Sequence, residues 1–348
     1  MMMTNSHDRL NNHSVGCFLG AACGDCLGAG VEFASSAEIR KRYGVYPLRR
    51  YVNDSPFGFK AGEITDDTQQ AILLAETIIQ YPDEEDFTGD WYETFGRKLV
   101  GWAAKAQDIG GTTARGIDMF RAGRRAQDME LMGRGQTTGS NGSAMRAYPV
   151  ALRYYNDINK LMEATRWASI VTHPSPLSID PCIAENMVVR RCLLNAVEET
   201  NLSRAEVIGH ARRDLVACGS CNRHTIEVCL SGEFPQKSYN QAIDAVQLAI
   251  AMFLHHDGFE DAVAHCASFG GDNDTHAAIC GAISGAYYGQ VHIPRKWVEE
   301  MHEAQHITSL ASQLASLLVR PVDTRDRNIE LQQNESEEDL NKLKGSHP

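Results

Sequence analysis

Two short stretches that lie far apart in the chain combine carboxylates with hydroxyl groups. One is Thr-Asp-Asp-Thr at 65–68, and the other is Gly-Gly-Asp-Asn-Asp-Thr at 270–275. Carboxylate and hydroxyl oxygens are ligands for hard cations such as Mg²⁺. Adjacent carboxylates also repel each other, and a bound cation removes that penalty. The two stretches therefore predict a cation site, which is our starting hypothesis for an active site.

Each acidic stretch stands where a helix is expected to begin. Apolar residues recur at helical spacing directly after both of them. A cap formed by Thr65 or Asp66 explains one acidic residue in the first turn, because carboxylates are favourable there. A cap does not explain two adjacent aspartates flanked by threonines, so capping and cation binding are both expected at this helix.

Two glycine stripes predict close packing between the two ends of the chain. Glycine recurs at every fourth position at 16, 20, 24 and 28, and again at 281, 285 and 289. Glycine costs about 1 kcal/mol relative to alanine inside a helix, so a stripe in register indicates that another backbone comes very close. We predict that these two helices meet in one core. Asp25 lies within the first stripe, where a buried carboxylate must be bound or paired, a structural salt bridge being the alternative.

Three further stretches carry candidate polar residues. Asp-Ile-Gly-Gly-Thr-Thr at 108–113 predicts a turn, and the glycine-rich run at 139–146 can cradle a phosphate through its backbone N–H groups. This run lacks the lysine of a Walker motif and the strand that precedes a dinucleotide-binding turn. His173 follows a predicted helix, where a charge partner for the helix C-terminus is the alternative to a functional role.

Composition and charge define the class of protein. The chain has 348 residues, 43% of them hydrophobic and 22% charged, with a net charge of −12. An acidic chain argues against nucleic acid or an anionic membrane as the main partner. Ten cysteines without an apolar signal segment favour free thiols in a reducing cytoplasm.

Helical periodicity almost everywhere predicts an all-α fold with one large domain. We predict a flexible polar lead at 1–13, the domain at 14–322 and a disordered acidic tail at 323–348. Residues 34–62, rich in Arg, Tyr, Gly and Pro, predict an irregular loop.

Six motifs together resemble the ADP-ribosylglycohydrolase family, over roughly residues 14–320 and in the family's order. They are Gly24-Asp25-Cys-Leu-Gly28-Ala-Gly-Val-Glu32, the stretches 65–68 and 108–113, Gly139-Ser-Asn141-Gly142-Ser143-Ala-Met145-Arg146, Thr172-His173-Pro, and the stretch 270–275. The resemblance implies a single large orthogonal helical domain with a binuclear metal cleft that holds two Mg²⁺ (or Mn²⁺) ions.

The resemblance also implies roles for individual residues. The metal ligands would be Thr65, Asp66, Asp67, Asp272, Asp274 and Thr275. The pyrophosphate and ribose pocket would be lined by Asn141, Gly142, Ser143, Met145 and His173. The catalytic residues would be Asp108 and Glu32. Two positions depart from the family pattern: Asn273 replaces a threonine and is expected to point away from the metals, and His276 replaces a small residue and is expected to add a polar contact near them.

The implied activity is removal of ADP-ribose from modified protein side chains. Asp108 matches the acid/base of the branch that cleaves ADP-ribosyl-arginine, whereas Glu32 matches a glutamate of the branch that cleaves serine-linked and O-acetyl ADP-ribose. The motif at 108–113 favours arginine. The expected partners are an ADP-ribosylated protein and, in one reading, a cognate ADP-ribosyltransferase such as a toxin; we expect a monomer.

Two other classes of function are alternatives to this interpretation. A silent antidote that binds a transferase and acts by occlusion would keep the fold without needing both acidic stretches. A phosphohydrolase that uses the run at 272–275 as a nucleophile motif would need a buried strand before it, which the sequence does not show.

Overall fold

A computed structural model describes residues 5–83, 86–137, 139–219, 221–236 and 240–317. Over these ranges the chain forms sixteen α-helices and two short 3₁₀-helices, and the described residues contain no β-strand, only an isolated bridge between Ser140 and Gln241. The predicted all-α fold is confirmed. The helices are α1 (Ser6–Ala29), α2 (Ser36–Tyr43), α3 (Asp66–Gln80), α4 (Asp90–Ala103), α5 (Gly111–Arg121), α6 (Ala126–Gly133), α7 (Tyr148–Tyr154), α8 (Ile158–Ile170), α9 (Pro176–Val197), α10 (Arg204–Cys218), α11 (Arg223–Cys229), α12 (Ala242–His255), α13 (Gly258–Ala267), α14 (Asn273–Tyr288), α15 (Arg295–Glu300) and α16 (Ala304–Ser316).

Helices α1 and α14 form the centre of the fold and pack antiparallel, as the glycine stripes predict. A methyl group on Gly20 would overlap the carbonyl of Gly281, and one on Gly16 would overlap the carbonyl of Gly285. At the other end of the interface, Gly28 abuts the backbone of Asn273 and Asp274. Any side chain at these glycines would force the helices apart, so the pairing fixes the end of α1 against the start of α14.

The remaining helices build one continuous core around this pair. Helices α9, α12 and α13 pack on α14, and α16 packs on both α1 and α3. The main cluster of buried apolar side chains runs from Leu10 to Ala315. Both ends of the described chain therefore belong to the same core, as the prediction of a single domain requires.

The structure corrects two predictions near the N-terminus. The lead at 1–13 is helical from Ser6, with the Asn5 side chain accepting a hydrogen bond from the Asp8 N–H at 2.8 Å. The loop at 34–62 contains helix α2, which a capping box between Ser35 and Glu38 starts and which buries Ile39. Local capping signals thus outweighed the polar composition that suggested irregular backbone.

Two short helices, α6 and α11, were not predicted. The predicted disordered tail at 323–348 lies outside the described residues. None of the ten cysteines forms a disulfide bond, as predicted. None of the helices in the described ranges is long and apolar enough to cross a membrane.

Candidate active site

A cleft of about 230 Å³ opens where the end of α1, the start of α3, the α4–α5 turn and the start of α14 meet. Nearly all the predicted site residues line it, although they come from six separate parts of the sequence. Those that do are Glu32, Asp66, Asp67, Asp108, Asn141, Gly142, Met145, His173, Asp272, Asp274 and Thr275. The fold therefore brings the two acidic stretches together.

Thr65 and Ser143 are the predicted site residues missing from the described lining. The Thr65 hydroxyl donates to Asp25 at 2.7 Å and accepts from the Asp67 N–H. The Ser143 hydroxyl accepts from Ser169 at 2.8 Å and lies 3.3 Å from the Cys182 thiol. Both side chains make contacts behind the cleft wall, and their assigned roles stay predictions.

Asp25, the carboxylate within the glycine stripe, caps helix α3 from outside. Its side chain accepts hydrogen bonds from the Thr65 N–H, the Thr65 hydroxyl and the Thr68 N–H, at 2.7–3.2 Å. Burial raises the pKa of Asp25 to about 6, and these hydrogen bonds oppose the rise. Asp25 is therefore hydrogen-bonded rather than ion-paired, and it satisfies the N-terminal donors of α3 that Asp66 and Asp67 would otherwise satisfy.

Asp66 and Asp67 are consequently left free to face the cleft. Asp66 Oδ2 accepts a hydrogen bond from the Gln70 amide at 2.9 Å. Asp67 Oδ1 lies 3.4 Å from the Thr275 hydroxyl, which joins α3 to α14. Asp67 Oδ2 is buried and has no hydrogen-bond partner among the described residues. An unpaired buried carboxylate oxygen is costly unless a cation or a proton compensates it.

The start of α14 supplies the opposite wall. Asp272 Oδ2 accepts a hydrogen bond from the Asn141 amide at 2.7 Å, and Asp274 accepts one from the Thr275 N–H at 2.9 Å. Asn273 points away from the cleft, as predicted, and donates to the carbonyls of Val31 and Ala34. Asn273, which departs from the family pattern, therefore ties the segment after α1 to α14. The two neighbouring aspartates stay in place.

Glu32 joins the α14 carboxylates. One oxygen of Glu32 can lie within 4.8 Å of oxygens of both Asp272 and Asp274, which is a spacing suited to a shared cation. Burial, reinforced by Asp272 and Asp108, raises the pKa of Glu32 to about 9. Its Oε2 is buried and unpartnered among the described residues. The family resemblance implies a catalytic role for Glu32, whereas the geometry also makes it a candidate metal ligand.

The other buried carboxylates behave in the same way. Burial, followed by the neighbouring carboxylates, raises the pKa values of Asp66, Asp67 and Asp274 well above their ordinary range. Many carboxylate oxygens converge here and few hydrogen-bond donors face them. Such a site suits hard divalent cations, which favour carboxylate and hydroxyl ligands. These side chains therefore fit the metals that the sequence predicted.

Asp108 stands apart from this buried group. It lies in the turn between α4 and α5, it is half-buried, and its pKa is raised by burial, against the opposing hydrogen bond from the Ile109 backbone. A carboxyl group that is open to solvent yet above its ordinary pKa is suited to hold and release a proton during a reaction.

The remaining wall is neutral. Backbone hydrogen bonds from the Asn141 N–H to the Asn240 carbonyl and from the Ala242 N–H to the Gly139 carbonyl hold the glycine-rich run against the start of α12. Gly142 lies against the His173 imidazole, where a methyl group would come within 2.9 Å of the ring. Burial, then Arg146, lowers the pKa of His173 well below its ordinary value, so the ring is neutral at physiological pH.

Arg146 lies at the centre of a buried hydrogen-bond network, a role that the sequence analysis did not predict. Its guanidinium donates to the Gln70 side chain and, at 2.6 Å, to the Thr172 hydroxyl, which in turn lies 2.7 Å from His173 Nδ1. Gln70 reaches on to Asp66. An arginine in the otherwise apolar run at 144–152 was the available sequence signal, because a charge in such a run must be paired when it is buried.

Two exposed aromatic residues, Phe33 and Phe57, also line the cleft and were not predicted. His276, expected near the metals, is fully buried and is not part of the described lining.

Comparison with known proteins agrees with the fold and with the family that the sequence resembles. The chain matches the ADP-ribosylglycohydrolase family over residues 6–323. It is 28% identical to the ADP-ribosyl-dinitrogen reductase glycohydrolase of Rhodospirillum rubrum, with 85% of this chain and 90% of that protein covered. It is 29% identical to the ADP-ribosylarginine hydrolase Tri1 of Pseudomonas putida, with 86% and 76% covered. The fold is similar to a solved ADP-ribosylglycohydrolase-related protein complex, with a TM-score of 0.73, 24% identity, and 89% of this chain and 99% of that one covered.

Proposed function

The chain belongs to the ADP-ribosylglycohydrolase family, and we propose from this membership and the cleft that it removes ADP-ribose from modified arginine side chains of proteins. The supporting observation is the convergence of Glu32, two aspartates of α3 and two aspartates of the α14 start on one cleft beside a neutral wall. The family and its named relatives support ADP-ribosyl hydrolase activity in general.

The arginine linkage is the finer part of the proposal. Two of the similar proteins are named for ADP-ribosyl-dinitrogen reductase and for ADP-ribosylarginine. The half-buried Asp108 in the motif at 108–113 also supports it, since that motif resembles the arginine-specific branch. The presence of Glu32 keeps serine-linked or O-acetyl ADP-ribose as the alternative.

Two Mg²⁺ or Mn²⁺ ions are the proposed cofactors. Asp66, Asp67, Asp272, Asp274 and Thr275 would hold them, because their oxygens converge and Asp67 Oδ2 is buried without a described partner. When bound, the cations would supply charge stabilisation and activation of the attacking water.

The residues of the chain have distinct tasks in the proposed reaction. Cleavage breaks the bond between the anomeric carbon of the ribose and a guanidino nitrogen, the oxygen of a water bonds to that carbon, and a proton ends on the leaving nitrogen. We assign the delivery of this proton to Asp108, and its position in the cleft lining and its raised pKa support the assignment. The buried carboxylates favour the positive charge that develops on the ribose.

The neutral wall would bind the rest of ADP-ribose. Because burial keeps His173 uncharged, its ring can hydrogen-bond phosphate oxygens without a permanent ion pair. Gly142 lines the cleft without a side chain, so its backbone can approach the ligand closely.

A substrate panel tests the proposal. The purified chain is incubated with arginine-linked, serine-linked and O-acetyl ADP-ribose, with Mg²⁺ or with a chelator, beside the double variant Asp66→Asn/Asp67→Asn as the control for contaminating hydrolase. We expect ADP-ribose release from the arginine linkage that the chelator and the double variant both abolish. Turnover of only the serine-linked or O-acetyl substrate would show that the protein cleaves that linkage and not the arginine linkage. No turnover of any substrate would indicate a protein that binds ADP-ribose without cleaving it.

A further inference from the structure

Phe33 and Phe57 are exposed aromatic residues at the cleft. Phe33 is 62% exposed and Phe57 is 36% exposed, and their ring centroids lie 6.2 Å apart in an edge-to-face arrangement. Both line the same cleft as the carboxylates. Two large apolar rings turned toward solvent beside a polar cleft contribute little to folding, because they are not buried in the core.

The backbone at Phe33 is strained. Its φ is +61°, a left-handed conformation that bulky residues rarely adopt and that glycine adopts freely. The surrounding structure enforces it: the Phe33 N–H donates to the Gly271 carbonyl at 2.8 Å, and Asn273 binds the carbonyls of Val31 and Ala34 on either side. Strain held in place by neighbours is concentrated at functional sites. An aromatic side chain at this position therefore points to a ligand.

A second cavity decides which part of the substrate the rings meet. It also measures about 230 Å³ and shares Thr112, Ser140 and His173 with the cleft. Arg115 and the hydroxyls of Ser175 and Ser178 line it, which are groups that suit phosphate and sugar. Its described lining includes neither Phe33 nor Phe57. This second cavity offers the nucleotide part of ADP-ribose a place beyond His173, away from the two rings.

The rings instead share the carboxylate side of the cleft. Phe33 directly follows Glu32, and both line the cleft together with Asp108. Aromatic faces beside carboxylates are the surroundings that bind a planar cation, and a guanidinium stacks on such faces more readily than an ammonium does. Neither a serine hydroxyl nor an acetyl group carries the charge that this arrangement favours.

We propose that Phe33 and Phe57 bind the guanidinium of the modified arginine and thereby determine the linkage that this protein cleaves. The inference rests on the proposed function and assigns its leaving-group site. The rings are specificity-determining residues, which position the leaving group beside Asp108 and take no part in proton transfer.

Leucine and tyrosine variants separate the ring face from mere apolar volume. Phe33→Leu and Phe57→Leu keep apolar bulk without a π face, whereas Phe33→Tyr and Phe57→Tyr keep the ring. We expect each leucine variant to raise KM for an arginine-linked substrate roughly 2- to 5-fold, the size of an exposed cation–π contact. Tyrosine variants should stay within about 2-fold of the wild type, and the Kd of free ADP-ribose should change in none of them.

The outcomes distinguish this inference from the proposed function. Weaker binding of free ADP-ribose by the leucine variants would place the rings on the nucleotide and overturn the assignment. Unchanged KM in both leucine variants would also overturn it while leaving arginine hydrolysis intact. Wild-type protein that fails to cleave the arginine linkage overturns both. Thermal unfolding of every variant identifies a folding defect. If a leucine variant is unfolded, the tyrosine variants still test the inference, because their KM for the arginine-linked substrate must lie within about 2-fold of the wild-type value.

Discussion

The two acidic walls of the cleft are both helix N-termini, yet they are held in opposite ways. The α14 wall is positioned by packing, since the glycines of α1 bring the two backbones into contact along the whole interface. The α3 wall is positioned by buried polar groups, with Asp25 capping the helix and Arg146 reaching Asp66 through Gln70.

This difference explains how five carboxylates can be brought together. A helix N-terminus offers several unsatisfied N–H groups, and a local carboxylate normally takes them. On α3 the cap comes from another helix, which leaves Asp66 and Asp67 for the cleft. On α14 the amide of Asn273 holds the neighbouring turn, which leaves Asp272 and Asp274 facing inward. The backbone donors at the start of α3 are thus satisfied from another helix, whereas on α14 Asp274 still accepts the Thr275 N–H and Asn273 fixes the segment after α1.

Removing the buried positive charge of Arg146 should have the largest effect, and it acts on the α3 wall. Arg146→Met leaves Asp66 among other carboxylates without a positive group nearby, and we expect a loss of about 3 kcal/mol in the free energy of unfolding, together with weaker Mg²⁺ binding. Urea unfolding and calorimetric titration measure the two effects. The matched control is Arg295→Met, whose side chain is 90% exposed, with an expected change within about 0.5 kcal/mol. Equal changes in the two variants would show that the network does not hold the wall.

Forcing the α1–α14 interface apart should come next. Gly20→Val places a branched side chain against the Gly281 carbonyl, and we expect about 2 kcal/mol of destabilisation from overpacking. The control is Gly101→Ala in α4, where a methyl group has no described neighbour within 4 Å, so that helix propensity should stabilise the protein by about 0.5–1 kcal/mol. Thermal unfolding compares them. A neutral Gly20→Val would mean that packing does not position the α14 wall.

Weakening the external cap tests the α3 wall without removing a cation. Asp25→Asn keeps one acceptor oxygen but loses the charge that strengthens the bonds from Thr65 and Thr68. We expect about 1.5 kcal/mol of destabilisation. Asp118→Asn, at a side chain that is 70% exposed, should be close to neutral by the same unfolding measurement. If the Asp25 variant were as stable as this control, another group would have to satisfy the α3 donors.

Replacing Asn273 should have the smallest effect on stability and a selective effect on the site. Asn273→Thr, which introduces the residue that the family resemblance implies here, cannot reach both carbonyls, and we expect about 1 kcal/mol of destabilisation. KM for the arginine-linked substrate should rise because the turn carrying Glu32 and Phe33 loosens, while Mg²⁺ affinity changes less. If Mg²⁺ affinity fell by a larger factor than KM rose, Asn273 would support the aspartates instead.

Much of the fold could be predicted because its signals are local or periodic. Helical spacing of apolar residues predicted all the long helices, and the two glycine stripes predicted which pair would be in contact. The errors lie where short capping signals act inside polar stretches, as at Ser6 and Ser36. Periodicity cannot find a helix of two turns, since so few residues define its apolar face.

The sequence by itself determined the chemistry: oxygen-rich stretches at two helix starts, a glycine-rich run and an aspartate in a predicted turn. Only the tertiary structure decided which oxygens remain available. Thr65 turned to Asp25, Ser143 turned to Ser169, and Glu32 joined Asp272 and Asp274. The rings of Phe33 and Phe57 gave no periodic signal and became a candidate site through their common cleft. The physical reason is that hydrogen-bond partners and burial depend on segments distant in the chain, whereas residue type and spacing do not.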